Sequence, residues 1–502
     1  MPPILLKNPG GPIVGLDIGS SYIKVCQAQL RGGQPEVTAL GIMPTPQDAV
    51  SGQEITDPAA LGQALRSLLG EAGIKARKVV SAINGQNSVV VRIIELPKMT
   101  RNELRESMKW EVERHVPFAA GDVEMDFQEL TPIEEVPDGA NMEVLLAVAQ
   151  SEAIQRHLQT LQTAGLQPQA IDVTPLAAER ALLLLGNGTG DEGAVAVVNL
   201  GATLTEVNVY RNGRIAFTRA IQIAGATLTK AISDGLGQPL AQAERLKREL
   251  ATVPENAAVA GLGGTEDPLA GFGGLDFGAD TAPMGGPEVS TLPGGPPTPP
   301  PAAPEAGVDI AAGGFGTAAF IETAEGPVFD TPAAPVPAGG PPDPGLAGPT
   351  PSADPFGGGN PFDSPFDLPA TPATPVPAAP PAEAAGEEDY LRSQIADVLL
   401  PVLGELVTEL RRSLDFFRNR SGGQGVQRMV LCGGGALLPG LGPFLQRALD
   451  LPVEIGNAFQ HVGKSVPLDP RYLDEVGPVF AVAVGLAVRE MMFEPRPAKG
   501  RR

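Results

Sequence analysis

The 502-residue chain is poor in the residues from which many enzymes build a reactive centre. Its two cysteines, Cys26 and Cys432, cannot form a disulfide framework and lack metal-ligand spacing. Three histidines, His115, His157 and His461, are scattered, so neither a metal cluster nor a His-based triad is expected. No run of 18 or more apolar residues occurs, and the first residues carry no apolar core of signal-peptide length. A cytoplasmic chain that does not itself span a membrane is expected. Between Arg248 and Arg392 there is no Lys or Arg, while Asp and Glu continue through the stretch. These acids account for nearly all of the net charge of −22, so the acidity belongs to a tail-like segment rather than to a folded face. Nucleic-acid binding by a basic patch is therefore not expected.

What is present begins at Ile13 to Lys24, Ile-Val-Gly-Leu-Asp-Ile-Gly-Ser-Ser-Tyr-Ile-Lys. An apolar run, broken only by Asp17, predicts a buried strand, and Tyr22 to Leu30 predicts its returning partner. Gly19 lets backbone approach a phosphate closely, and the Ser20 and Ser21 amides and hydroxyls can bond its oxygens. Asp17 can hold magnesium through water, and Lys24 can neutralise phosphate charge. The plainer alternative is a hairpin with a satisfied buried aspartate.

Ala59 to Gly73 reads as a helix with Leu61, Leu65, Leu68 and Leu69 on one face. Lys78 to Ile83 and Ser88 to Leu96 read as strands. Thr100 with Glu103 forms a capping-box signature, and Leu104, Met108, Val112 and Val116 give the following helix one apolar stripe, stopped by Pro117. Two more strands, Val123 to Leu130 and Met142 to Ala149, and a helix from Ser151 to Ala164 complete an expected α+β unit over 79–172.

A second half echoes the first. Ala194 to Leu200 is a buried strand, Gly201-Ala202-Thr203 follows, and Leu204 to Tyr210 returns; Arg211-Asn212-Gly213-Arg214 then turns into Ile215 to Ile221. Two phosphate-type hairpins in separate halves can clamp a nucleotide from both sides. Helices are expected at Ala226 to Asp234 and Leu240 to Leu250, the latter carrying Glu244, Lys247 and Arg248. From about Val253 to Glu388, Pro, Gly and Ala dominate without periodicity, which predicts a disordered excursion from a surface loop. Order is expected again at Tyr390, with a long helix over Leu391 to Phe417. Arg428 to Cys432 then runs as a strand into Gly433-Gly434-Gly435, followed by helices over Leu437 to Leu449 and Glu475 to Met492. A glycine loop between strand and helix offers bare amides to an anion or to an adenosine.

This order of hairpin, hairpin, Ala-Glu-x-x-Lys helix and strand-Gly-Gly-Gly-helix resembles the actin-like ATPase superfamily. The resemblance implies that ATP and magnesium bind between two halves. It assigns Asp17, Gly19, Ser20, Ser21 and Lys24 to the first phosphate motif, and Asn199, Gly201, Ala202 and Thr203 to the second. Glu244, Lys247 and Arg248 then match the helix that reaches ribose and adenine, and Gly433, Gly434 and Gly435 the adenosine loop. Asp17 and Asn199 would meet the metal through water, and no catalytic residue is singled out.

A narrower resemblance rests on Arg92 to Phe118, on Ala164-Gly165-Leu166 with Ile171-Asp172-Val173, and on Glu409 to Arg418. These segments resemble the type IV pilus assembly protein PilM family. The implied fold is α/β, a two-lobed actin-like ATPase fold with an extra FtsA-like α+β subdomain and a long disordered insert. The corresponding division is 1–78 and 173–252 with 389–502 for the two lobes, 79–172 for the subdomain and 253–388 for the insert. By the same resemblance the chain lies at the cytoplasmic face of the inner membrane, holds the N-terminal cytoplasmic peptide of PilN, and links the platform to the pilus motor. It would touch the membrane only through partners. One departure is the asparagine at 199, where the superfamily usually has aspartate. An amide can bond a metal-bound water but adds no charge and cannot act as a base, so ATP binding with slow or absent hydrolysis is expected. An active ATPase or phosphotransferase, and an FtsA-like filament former, are the alternatives.

Overall fold

In the computed structural model, residues 5–6, 9–83, 88–116, 122–131, 133–186, 193–255, 257 and 382–493 are described. The expected disordered insert therefore lies, apart from its two ends, outside the described residues.

The first lobe grows from β1 (Ile13–Ile18), buried at all six positions. Burial on both faces explains an apolar run interrupted only at Asp17, since a strand covered on one side only would alternate. β2 (Tyr22–Arg31) and β3 (Gln34–Pro44) continue antiparallel from it. A short hairpin of β4 (Val50–Ser51) and β5 (Glu54–Ile55) leads to α1 (Pro58–Glu71), capped by the Asp57 side chain. Next come β6 (Lys78–Ile83), β7 (Val89–Pro97), α2 (Arg101–His115), β8 (Val123–Glu129), β9 (Asn141–Gln150), α3 (Ser151–Ala164), β10 (Gln167–Val173) and α4 (Thr174–Glu179).

The sheets divide these strands differently from the expected 79–172 unit. Strands β7, β9 and β8 form a separate three-stranded antiparallel sheet, in that order, with α2 packed on it. The flanking β6 and β10 instead extend the first-lobe sheet, parallel to β1 and to each other. Val79 and Val80 are wholly buried. Strands buried on both faces and joined in parallel belong to a sheet with helices on both sides. The inserted sheet therefore leaves after β6 and ends at β9. The capping box forms as expected, with Thr100 N donating to Glu103 Oε2 at 2.7 Å.

The second lobe repeats the plan with β11 (Ala194–Leu200), β12 (Thr205–Arg211), β13 (Arg214–Ile221), α5 (Gly225–Leu236), α6 (Leu240–Leu250), α7 (Ala382–Arg420), β14 (Val426–Cys432), α8 (Leu441–Leu449) and β15 (Val453–Ile455). Its order, β13-β12-β11-β14-β15, matches β3-β2-β1-β6-β10 in direction strand for strand. β16 (Gly463–Lys464) adds to the free edge of β3. Then α9 (Pro470–Val476) and α10 (Ala481–Val488) close the described chain's helices.

Three boundaries differ from the sequence reading. Helix α7 begins at Ala382 rather than Leu391, because Ala and Glu dominate its first turns and both favour helix. Gly434–Leu437 is a 3₁₀ turn, and α8 starts only at Leu441, after Pro439 and the left-handed Gly440. The expected terminal helix is split into α9 and α10 by Gly477-Pro478, where proline cannot continue the ladder.

Helix α10 lies against β1 and α4, buried at all eight positions. A Cβ on Gly15 would sit 2.0 Å from the Ala483 carbonyl oxygen, and one on Gly485 1.7 Å from that of Ala177. Bare backbone on both sides sets this close crossing. Beside it Asp172, at the end of β10, pairs with Arg180 at 2.7 Å and with Arg489 at 3.3 Å.

Candidate functional site

The two hairpins have the same internal construction. Gly19 N donates to the Tyr22 carbonyl at 3.0 Å, and Gly201 N donates to the Leu204 carbonyl at 3.0 Å. A side chain on either glycine would press on that same carbonyl, at 2.9 and 2.8 Å. Strand register places Asp17 opposite Lys24 and Asn199 opposite Glu206. Directly opposed residues in an antiparallel pair share a face, so each hairpin carries one polar pair at matching positions. The turns meet where Ser20 Oγ and Thr203 Oγ1 lie 3.0 Å apart. The structure thus brings together residues 183 apart in sequence.

Lys24 Nζ donates to Asp17 Oδ2 at 2.6 Å in a mostly buried ion pair. The lysine and the aspartate thus neutralise each other. Asn199 Nδ2 donates to Glu206 Oε2 at 2.9 Å, and Thr174 Oγ1 donates to Glu206 Oε1 at 2.9 Å. Burial pushes the Glu206 carboxyl above its ordinary range, the Asn199 and Thr174 bonds pull it back, and the Asp17 charge raises it again. Sequence reasoning missed Glu206. Its signal was available in the matching of the two hairpins, where it occupies the position of Lys24.

The α6 residues reach the site by two routes. Lys247 Nζ donates to the Gly225 carbonyl at 3.0 Å, Thr229 Oγ1 at 2.8 Å and Glu244 Oε2 at 2.6 Å, which engages all three ammonium protons. Gly225 and Ala226 in turn donate to the Gly201 and Ala202 carbonyls at 3.1 and 2.7 Å. Lys247 and Glu244 therefore brace the second hairpin from behind, while Arg248 Nη1 donates to the Tyr22 hydroxyl at 2.8 Å and crosses to the first.

Strand β14 runs parallel to β11, so Cys432 lies beside Asn199 and the glycine loop emerges next to the second hairpin. Packing alone requires two of its glycines. A Cβ on Gly433 would come within 2.5 Å of Asn199 Oδ1, and one on Gly435 within 1.6 Å of Leu200 Cδ2. Gly434 faces open space and is exposed. Burial also pushes the Cys432 thiol far above its ordinary range, so it is inert as a nucleophile here.

Gln53, in the turn between β4 and β5, was also missed. Its Nε2 donates to Thr203 Oγ1 at 3.3 Å. Gln53 and Ile18 also line a small open cleft, together with Ile55, Ser88, Arg156 and His157. This cleft opens among the ends of β1 and β6, the β4–β5 hairpin and the start of α3, and Ile18 places it beside the first hairpin.

No group of three or more His, Cys, Asp or Glu among the described residues could hold a metal by itself. The oxygen donors of Asp17, Asn199 and Glu206 do suit magnesium, which is bound through one or two carboxylates together with substrate phosphates and keeps several waters. No helix among the described residues is long and apolar enough to cross a membrane.

Two sheets of one topology, facing each other through glycine hairpins and joined by buried helices, define an actin-like ATPase fold. The model of the type IV pilus assembly protein PilM family matches residues 15–262 and 381–491. The chain belongs to that family. A solved PilM-PilN type IV pilus biogenesis complex is similar at 25% identity and a TM-score of 0.63, over 96% of this chain and 99% of that one. Cell division protein FtsA of Bacillus subtilis is 26% identical over 264 residues, 47% of this chain and 57% of its own length. FtsA of Streptococcus pneumoniae is 28% identical over 257 residues, 47% of this chain and 55% of its own length. The chain thus spans little more than half the length of the curated relatives it matches.

Proposed function

We propose that this chain is an ATP-binding adaptor of type IV pilus assembly, clamped by nucleotide rather than specialised for turnover. Asp17, Gly19, Ser20, Ser21 and Lys24 take one side of the phosphates, and Asn199, Gly201, Ala202 and Thr203 the other. Arg248 and the Gly433–Gly435 loop flank the nucleoside, and magnesium joins through water. The observation that carries the reading is the 3.0 Å approach of Ser20 to Thr203 between two hairpins of one design. Lys24 would exchange its bond to Asp17 for phosphate oxygens when a triphosphate enters.

The partner side of the proposal is the N-terminal cytoplasmic peptide of a PilN-type protein, held at the face of the inner membrane. The solved relative is a PilM-PilN complex, which supports that choice. The cleft lined by Ile18, Gln53, Arg156 and His157 adjoins the first phosphate hairpin, so a peptide seated there would feel the clamp. The adaptor would pass this state to platform and motor proteins.

The test is thermal and chemical unfolding of the full chain with and without Mg-ATP. At a hundredfold excess over the dissociation constant, ATP is expected to add about 2.7 kcal/mol of stability. Lys24→Ala is expected to lose most of that gain. An unfolding curve indifferent to ATP refutes the reading. Sustained phosphate release above about one per second would instead favour an active phosphotransferase.

A further inference from the structure

The inserted sheet has two edges, and they differ. Along one, β7 lies beside β13 of the second lobe, with Arg420 donating to Glu95 at 2.8 Å. The other is β8, the last strand in the order β7-β9-β8. Leu130 N donates to the Glu143 carbonyl at 3.0 Å, which makes these two a hydrogen-bonded pair. Such pairs alternate along an antiparallel ladder, so Gln128, Asp126 and Glu124 also turn their backbone groups toward β9. Val123, Met125, Phe127 and Glu129 turn theirs outward, where no other described strand pairs with them. A row of this kind is a template for one more strand. The side chains of Val123, Met125 and Phe127 pack, half-buried, against the core beneath α2, and Glu124 and Asp126 alternate onto the opposite face.

Charge decides which strand fits. Between Arg114 and Arg156 the chain has no Lys or Arg, while acids run along β8 and past it, at Glu124, Asp126, Glu129, Glu134 and Glu135. Glu124, Glu134 and Glu135 are exposed. Arg101 reaches from α2 to Glu129 at 2.8 Å and covers one end of the row. Asp126 Oδ1 accepts from Phe127 N at 2.8 Å, holding an outward amide that an added strand would take over. Two copies meeting edge to edge would set these acids against each other, and the stretch between Arg248 and Arg392 has no Lys or Arg to offer. We propose that the β8 edge takes up an extended segment of a partner protein as a fourth strand, a segment in which apolar and basic residues alternate. Its apolar side chains continue the α2-facing core past Met125 and Phe127, and its Lys or Arg side chains meet Glu124 and Asp126 on the other face. The site runs away from the cleft, its near end being Val123, opposite the cleft-lining Gln150. It does not depend on nucleotide.

The test uses the full chain and three synthetic octapeptides: valine alternating with lysine, valine alternating with glutamate, and lysine throughout. Affinity is read by fluorescence anisotropy at low salt, and the place of binding by residue-resolved amide hydrogen exchange. The Val-Lys peptide is expected to bind about tenfold more tightly than either of the others. It is also expected to slow exchange at Met125 and Glu129, whose amides face away from β9. New protection at alternate residues marks strand addition, which attraction to an acidic surface does not produce. Glu124→Lys, at an exposed position, is expected to weaken the Val-Lys peptide by about tenfold. If the all-lysine peptide binds as well and Met125 and Glu129 gain no protection, the acids only guard the edge against pairing and the proposal is overturned. Protection confined to the β4–β5 hairpin and α3 would place the peptide in the cleft and overturn it too, as would a preference for the Val-Glu peptide or no binding at all. Should Glu124→Lys fail to fold, the exchange pattern of the native protein decides alone.

Discussion

His157 shows how a single side chain reports on its surroundings. It sits on α3, 2% exposed, with Nε2 2.8 Å from the Ser81 hydroxyl on β6. Burial lowers its pKa from 6.5 to about 4, because a charged imidazole would lose water without gaining an anion. The unfolded chain takes up this proton near pH 6.5, while the folded one resists until about 4. Stability from this group is therefore complete above 6.5 and lost as the pH falls toward 4, by roughly 3 kcal/mol. Urea unfolding at pH 7 and pH 4.5 is expected to show a smaller pH dependence in His157→Asn than in the native protein. Equal slopes would mean that other groups set the acid sensitivity. Nothing local in the sequence announces this burial. His157 lies in a polar-looking helix, and only the packing of α3 over β6 hides it.

At the scale of elements, most of the fold is legible, and what is not has a physical reason. The strands around Asp17 and Asn199 stand out because burial on both faces demands apolar residues at successive positions, leaving Asp17 and Asn199 as the polar exceptions. The Thr100–Glu103 cap stands out because its two bonds need those residues at that spacing. Sheet membership is harder. Lys78–Ile83 and Val89–Pro97 are both apolar and adjacent in sequence, yet they enter different sheets. Pairing partners, which lie far along the chain, decide that. The site divides the same way. The glycines, Ser20 and Thr203 announce themselves, whereas Gln53 lies in a polar, turn-rich stretch, 150 residues from the hydroxyl it bonds. The β4–β5 hairpin is where the cleft meets the second glycine hairpin, so under the proposed function it is expected to couple peptide and nucleotide. Gln53→Ala is expected to leave ATP and a PilN tail peptide each able to bind alone. The change in peptide affinity on adding ATP is expected to shrink toward none, as read by fluorescence titration at zero and saturating nucleotide. An unaltered ratio would place the coupling elsewhere.

Across the whole molecule, the proposed clamp requires a joint between the two lobes that stays rigid while the mouth opens. The mouth is held by exchangeable polar contacts: Arg248 to Tyr22 at 2.8 Å, and Arg420 at the end of α7 to Glu95 of the inserted sheet at 2.8 Å. Partly exposed pairs of this kind contribute little, on the order of 0–1 kcal/mol, and can part cheaply. The joint is built differently. Helix α10 lies on β1 with backbone touching backbone, and below it one carboxylate, Asp172, meets two guanidiniums, all three at most 7% exposed. The arginines repel each other, and burial pushes the Arg180 pKa down; Asp172 bonds both, while Glu490 pairs with Arg489 and the Glu179 charge also acts on Arg180, so Asp172 is the acid the two cations share. Removing it leaves two buried cations competing for what remains. Asp172→Asn is expected to cost about 3–5 kcal/mol, the usual penalty for stranding a buried charge. Arg489→Met, which removes one of the repelling cations and leaves the Asp172–Arg180 pair intact, is expected to cost much less. Denaturant unfolding of the two variants gives the order directly. Comparable losses, or a larger loss for Arg489→Met, would show that the joint is not centred on Asp172 and that α10 is held by its apolar packing alone.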